Sequence, residues 1–160
     1  MSGGYTTEQL TIEGAKLIFK NFAGEQRQFN EKGKRVFSVY IDDETFAQHL
    51  INLGWRLKKL KCVDDVCLFD TYHLPVKINF ASSYPPRIYL IKQGARIPLT
   101  EETVGMLDSV PIASADVVLS PYHWEGDTNP GVKAYLAVLY ATLDETELDL
   151  KYSDLPETTG

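Results

Sequence analysis

Hydrophobic and polar positions alternate most regularly between Val76 and Arg96, VKINFASSYPPRIYLIKQGAR. Val76, Ile78 and Phe80 share one face, with Lys77 and Asn79 on the other. Further on, Ile88 and Leu90 oppose Arg87, Tyr89 and Ile91. This alternation predicts two half-buried strands. Tyr84-Pro85-Pro86 predicts a turn between them, because proline fixes φ and donates no ladder hydrogen bond. The stretch therefore reads as a hairpin with one apolar face and one face of Lys, Asn, Arg and Tyr.

The same reading extends along the chain. Leu10 to Ala23 predicts a strand, with KLIFKNF its best part and Lys16 and Lys20 on one face. Gly24 to Arg35 predicts a polar loop holding Arg27, Phe29, Lys32 and Lys34. Val36 to Ile41 is apolar on both sides, as a central strand would be. Asp42-Asp43-Glu44-Thr45 predicts a helix start, with acids suited to the helix dipole. Phe46, Leu50 and Leu53 then form its stripe and Gly54 stops it. Trp55 is expected in the core and His49 as a structural or solvated residue. Trp55 to Cys62 predicts a strand bearing Arg56, Lys58, Lys59 and Lys61, either a guarded sheet edge or a rail for phosphates. Val63 to Tyr72 reads as an irregular acidic connection. Gln93-Gly94-Ala95 predicts a turn from which Arg96 to Leu99 pairs back. Thr100 caps a second helix carrying Val104 and Leu107 and closed by Pro111. Ala115 to Trp124 and Val132 to Leu143 predict two long strands around the turn GDTNPG.

About seven or eight strands and two helices, without a βαβ repeat, predict a mainly β protein. The order strand, strand, helix, strand, strand from Leu74 onward is that of the second half of an OB-fold. The fold expected is an OB-fold-like Greek-key β-barrel with two short helices and extra N-terminal strands. Its domain spans 10–143, between a disordered 1–9 and an acidic flexible tail, 144–160.

Composition changes the picture in one respect. The net charge of −6 speaks against nucleic acid, but residues 16–96 hold 14 Lys and Arg against 8 Asp and Glu, whereas residues 97–160 hold 2 against 12. A basic body with an acidic end is a charge asymmetry in its own right. The acid serves solubility, or it competes with a polyanion for a cationic groove. On the body, a sheet face mixing cations with rings is either merely solvated or a place where bases stack and phosphates meet cations.

Other chemistry finds little support. No apolar run approaches the ~20 residues of a membrane span, and MSGGYTTEQL is no signal peptide. A reducing cytoplasm is thus expected, with Cys62 and Cys67 as free thiols; their spacing, even with His73, is a poor structural-zinc pattern. There is no nucleophile elbow, P-loop or HExxH, so neither catalysis nor a cofactor or metal is expected.

Several motifs occur in a fixed order: KNF-x-G at 20–24, RQFN-xx-G-x-R-x-F at 27–37, GW at 54–55, VKINF at 76–80, PP-x-I at 85–88, and PY-x-WE with GVKAYL at 121–136. In that order they resemble the OB-fold single-stranded DNA-binding proteins of bacteriophages, over about residues 12 to 143. The resemblance implies sequence-independent coating and protection of ssDNA in phage replication or recombination, in the host cytoplasm and without catalysis. It implies a strand held by aromatic and cationic side chains: Lys20 and Phe22; Arg27, Phe29 and Arg35; Lys77 and Tyr84; Arg87 and Tyr89; Tyr122 and Trp124; Lys133 and Tyr135; the phosphate rail read at Trp55 to Cys62 adds Arg56 and Lys58. A homodimer, and replication or recombination proteins recruited by the tail, stay open. The tail departs from the family pattern, ending in DLPETTG with Tyr152 as its nearest aromatic. The competing reading is a non-catalytic β-barrel protein–protein interaction module of a phage.

Overall fold

The structure, a computed structural model, describes residues 8–25, 33–60, 71–124 and 131–145, with His123 and Trp124 described by backbone alone. Arg27, Phe29, Lys61, both cysteines, most of GDTNPG and nearly all of the two terminal segments lie outside the described residues.

Among the described residues, eight strands and one α-helix follow one another as β1 (Leu10–Asn21), β2 (Arg35–Ile41), α1 (Glu44–Asn52), β3 (Lys58–Lys59), β4 (Tyr72–Ile78), β5 (Arg87–Lys92), β6 (Ala95–Leu99), β7 (Ile112–Trp124) and β8 (Gly131–Leu143). A 3-10 helix, Val104–Asp108, stands between β6 and β7. β1 pairs antiparallel with both β2 and β7, β2 with β4, and β7 with β8. A parallel contact of β4 with β8, Val76 opposite Ala134 and Lys77 opposite Tyr135, closes the ring. The circuit β1-β2-β4-β8-β7 is a five-stranded barrel of the OB-fold kind. β1 and β2 belong to that barrel. The strands outside it lie mid-chain: β3, on the edge of β4, and the β5–β6 pair, beside the second half of β8.

The alternation read from Val76 to Arg96 holds, but its connectivity does not. β4 and β5 do not pair with each other. Both run parallel to β8, β4 against its first half and β5 against its second, from Arg87 opposite Val138 to Ile91 opposite Thr142. Two consecutive prolines favour an extended chain, whereas a tight hairpin wants residues tolerant of positive φ. The segment between the strands therefore carries the chain onward along β8. The hairpin is the next one: Gln93 and Gly94, at φ 50° and 76°, turn β5 into β6.

Inside the barrel, Phe22 stacks on Phe37 with ring centres 5.1 Å apart, among Val39, Leu74, Val76, Val117, Leu119 and Leu139. α1 begins as expected: the Asp43 carboxylate accepts from the Thr45 and Phe46 amides at 2.9 and 3.2 Å. Trp55 is core, bridging in parallel to Val132. The second helix is a 3-10 turn rather than an α-helix. It buries Val104 and Leu107 fully, and Gly105 lies so near Ala23 that a Cβ there would come within 3.1 Å of Ala23 Cβ. The Asp108 carboxylate locks this turn to β1 by accepting from the Phe22 and Ala23 amides at 2.7 and 3.0 Å. The basic stretch expected from Trp55 to Cys62 contributes only the short β3, paired with Tyr72 and His73 at the sheet edge. No helix among the described residues is long and apolar enough to cross a membrane.

Candidate nucleic-acid interface

Side chains that point inward on a closed barrel build the core, so a ligand surface comes from the outward set. On β4 this set is His73, Pro75 and Lys77; on the first half of β8 it is Lys133 and Tyr135; on the end of β7 it includes Ser120 and Tyr122. Register brings them together. Lys77 lies opposite Tyr135 across the parallel contact, Ser120 opposite Tyr135, and Tyr122 opposite Lys133.

Two adjoining grooves cross this wall. The larger, about 1050 Å³, is lined by Tyr122 and Tyr135, by Asn79, Tyr84 and Arg87, and by Val138. The Tyr122 and Tyr135 rings meet edge to face at 5.4 Å, and Tyr122 is 47% exposed. Tyr84 is presented by a short polar turn. Asn79 Oδ1 accepts from the Ala81 amide at 3.0 Å and Ser82 Oγ from the Tyr84 amide at 3.2 Å, leaving the Tyr84 ring 91% exposed.

The smaller groove, about 370 Å³, is cationic: Arg56, Lys58, Lys77 and Lys133 line it. The Arg56 stem runs over Gly131, where a Cβ would come within 2.6 Å of Arg56 Cγ, so a side chain at 131 would push the arginine aside. Burial, then the Lys133 and Lys34 ammonium groups, hold the Lys77 ammonium below the usual lysine range. Like charges gathered this way repel each other, and an arriving polyanion relieves that repulsion. Among the described residues, neither groove is lined by an Asp or a Glu.

Of the expected residues, Arg56, Lys58, Lys77, Tyr84, Arg87, Tyr122, Lys133 and Tyr135 converge on this wall. Four do not. Phe22 is 0% exposed and closed to any base. Lys20 is turned to the 3-10 helix, donating from Nζ to the Leu107 carbonyl at 2.9 Å and the Val110 carbonyl at 3.4 Å; burial lowers its pKa, opposed by Asp108. Arg35 closes the barrel mouth, donating to the Phe22 carbonyl at 2.6 Å with its guanidinium over the Phe80 ring. Tyr89 stacks on Tyr140 at 5.2 Å and also lies under Arg96, so its ring already has neighbours. Arg27 and Phe29 lie outside the described residues, as does the Trp124 side chain.

Sequence reading set Asn79 on the face of Lys77 and Lys34 in the basic loop without choosing either as a contact. It passed over Ser120, which is neutral and which only its register opposite Tyr135 places in the groove.

The family model of the phage ssDNA-binding domain matches residues 3–160. The chain belongs to that family. No curated protein sequence matches it. Among solved structures, the fold is similar to the single-stranded DNA-binding protein of bacteriophage Enc34, determined in complex with ssDNA, at 8% identity and a TM-score of 0.52, covering 85% of this chain and 86% of that one. A C-terminally truncated form of the Enc34 protein matches equally, at 9% identity. The bacteriophage T7 single-stranded DNA-binding protein gp2.5 matches at 12% identity and a TM-score of 0.46, over 95% of this chain and 98% of that one. At such identities the Enc34 structures speak for the fold alone.

Proposed function

We propose that the chain binds and protects ssDNA in phage replication or recombination by laying the strand along the outer wall of β4, β8 and β7. Bases stack on Tyr135, Tyr122 and Tyr84, while Lys77, Lys133, Lys58, Arg56 and Arg87 meet phosphates. The observation that carries this reading is a groove lined by Arg56, Lys58, Lys77 and Lys133 next to one with accessible tyrosines, neither holding an acid among the described residues, on a chain of net charge −6. Aromatic faces accept any base, so such a surface binds without sequence preference. Among the described residues, no His–carboxylate or nucleophile–base pair converges in either groove. The same reading takes 10–143 as the binding domain and 144–160 as an acidic segment that recruits replication or recombination proteins, the protein acting in the host cytoplasm and self-associating as a homodimer.

The test is a mobility shift with oligo-dT and with duplex DNA at two salt concentrations. Binding to oligo-dT, weaker binding to duplex, and a loss of affinity with added salt are expected. Equal affinity for both, or none at low salt, would instead favour a protein–protein interaction module.

A further inference from the structure

Phe19 is explained neither by the core nor by the grooves. It is 60% exposed, and its φ of 51° places a bulky residue in the left-handed region. That conformation costs a residue with a Cβ free energy and persists only where the surroundings impose it, most often at functional positions. Here the bulge in β1 between Ile18 and Asn21 imposes it. The ring reaches across β2 to His73 of β4, edge to face at 5.1 Å. Between them lies Ser38, small and buried, with its hydroxyl 2.8 Å from His73 Nδ1. Two lysines share this part of the wall. Lys16 extends over the Tyr40 ring on the same outer wall, and Lys58 pairs in register with His73. Lys58 also lines the cationic groove with Lys77 and Lys133, so the ring continues the proposed strand path.

We propose that Phe19, braced by His73, is a second base-stacking step, reached by the strand as it leaves the Lys77–Lys133 groove past Lys58 and crosses β4, β2 and β1. Its ligand is a nucleobase of the same ssDNA. The proposal rests on the ssDNA reading above and lengthens the footprint that reading implies. An exposed ring adds little buried area to folding, whereas a flat face on a wall that also carries lysines is what a stacked nucleotide uses.

The test is Phe19→Asn, because Asn tolerates the left-handed backbone and has no ring. Its thermal midpoint should equal or exceed that of the parent. Its affinity for oligo-dT of about 16 nucleotides should fall about tenfold, while an oligomer of about 4 nucleotides, held in the grooves alone, binds unchanged. Phe19→Tyr should keep parental affinity for both. Parental affinity of Phe19→Asn for the long oligomer overturns the proposal. So does a lowered midpoint with equal losses for both lengths, which would make Phe19 a structural cover. Should the parent protein bind neither oligomer, the ssDNA reading itself falls. Should a Lys77 and Lys133 variant lose affinity while Phe19→Asn does not, only the second step falls.

Discussion

Replacing Lys77 and Lys133 together by glutamate is expected to weaken oligo-dT binding about a hundredfold at low salt, from about 1.4 kcal/mol per lost phosphate contact. Both side chains point away from the core on β4 and β8, and they line one groove that holds no acid among the described residues. Reversal therefore turns the centre of the path from attractive to repulsive and leaves packing intact. The salt dependence gives a second readout. Each phosphate contact on a single strand contributes ~0.7 to the slope of log affinity against log salt, so losing two should lower it by ~1.4. Fluorescence anisotropy of labelled oligo-dT across a salt series measures both. A variant with parental slope and affinity would remove these lysines from the interface.

Phe22→Ala is expected to do the reverse. Truncating a phenylalanine that is 0% exposed and stacked on Phe37 should cost ~3–5 kcal/mol of stability. Under conditions where the variant remains folded, its affinity for ssDNA should be parental. Urea unfolding and anisotropy on the same preparation separate the effects. Tyr135→Ala should show the opposite profile, with stability little changed and ~1–3 kcal/mol lost from binding. A stable Phe22→Ala protein with weakened binding would return Phe22 to the interface.

Phe22 also shows where reading a sequence stops. Counting by twos along β1 sets Lys20 and Phe22 outward with Lys16. The bulge between Ile18 and Asn21 inserts a residue, and every later side chain then changes face. A bulge leaves no mark in hydrophobic periodicity, so the aromatic expected on the surface became the centre of the core. β8 shifts in the same way against β7 between Leu136 and Val138, which is why Tyr135 and Tyr140 both point outward. Where strands stay regular, alternation was sufficient: Lys77 on one side of β4, Val76 and Ile78 on the other. Local chemistry was equally legible at the Asp43 cap and at the Gln93-Gly94 turn.

Partners were not legible. Alternation says that a strand is half-buried but not what it pairs with, so β4 and β5 looked like a hairpin although both lie along β8. Exposure was legible only in part. Tyr84 stands clear because a polar turn presents it, whereas Tyr89, with the same outward parity, is held between Tyr140 and Arg96. The wall itself was half visible, since its cations and tyrosines could be named from sequence. Their convergence depends on the parallel β4–β8 contact, which sets Lys77 beside Tyr135 across more than 50 residues of chain.

Ultraviolet cross-linking of the intact protein to oligo-dT, with the modified residues mapped by mass spectrometry, tests most directly whether the strand lies on this wall. Thymines should cross-link to Tyr135 and Tyr122, with Tyr84 alongside. Cross-links confined to the Tyr89–Tyr140 side, or absent from every tyrosine of the β4–β8–β7 wall under saturating ssDNA, would contradict it.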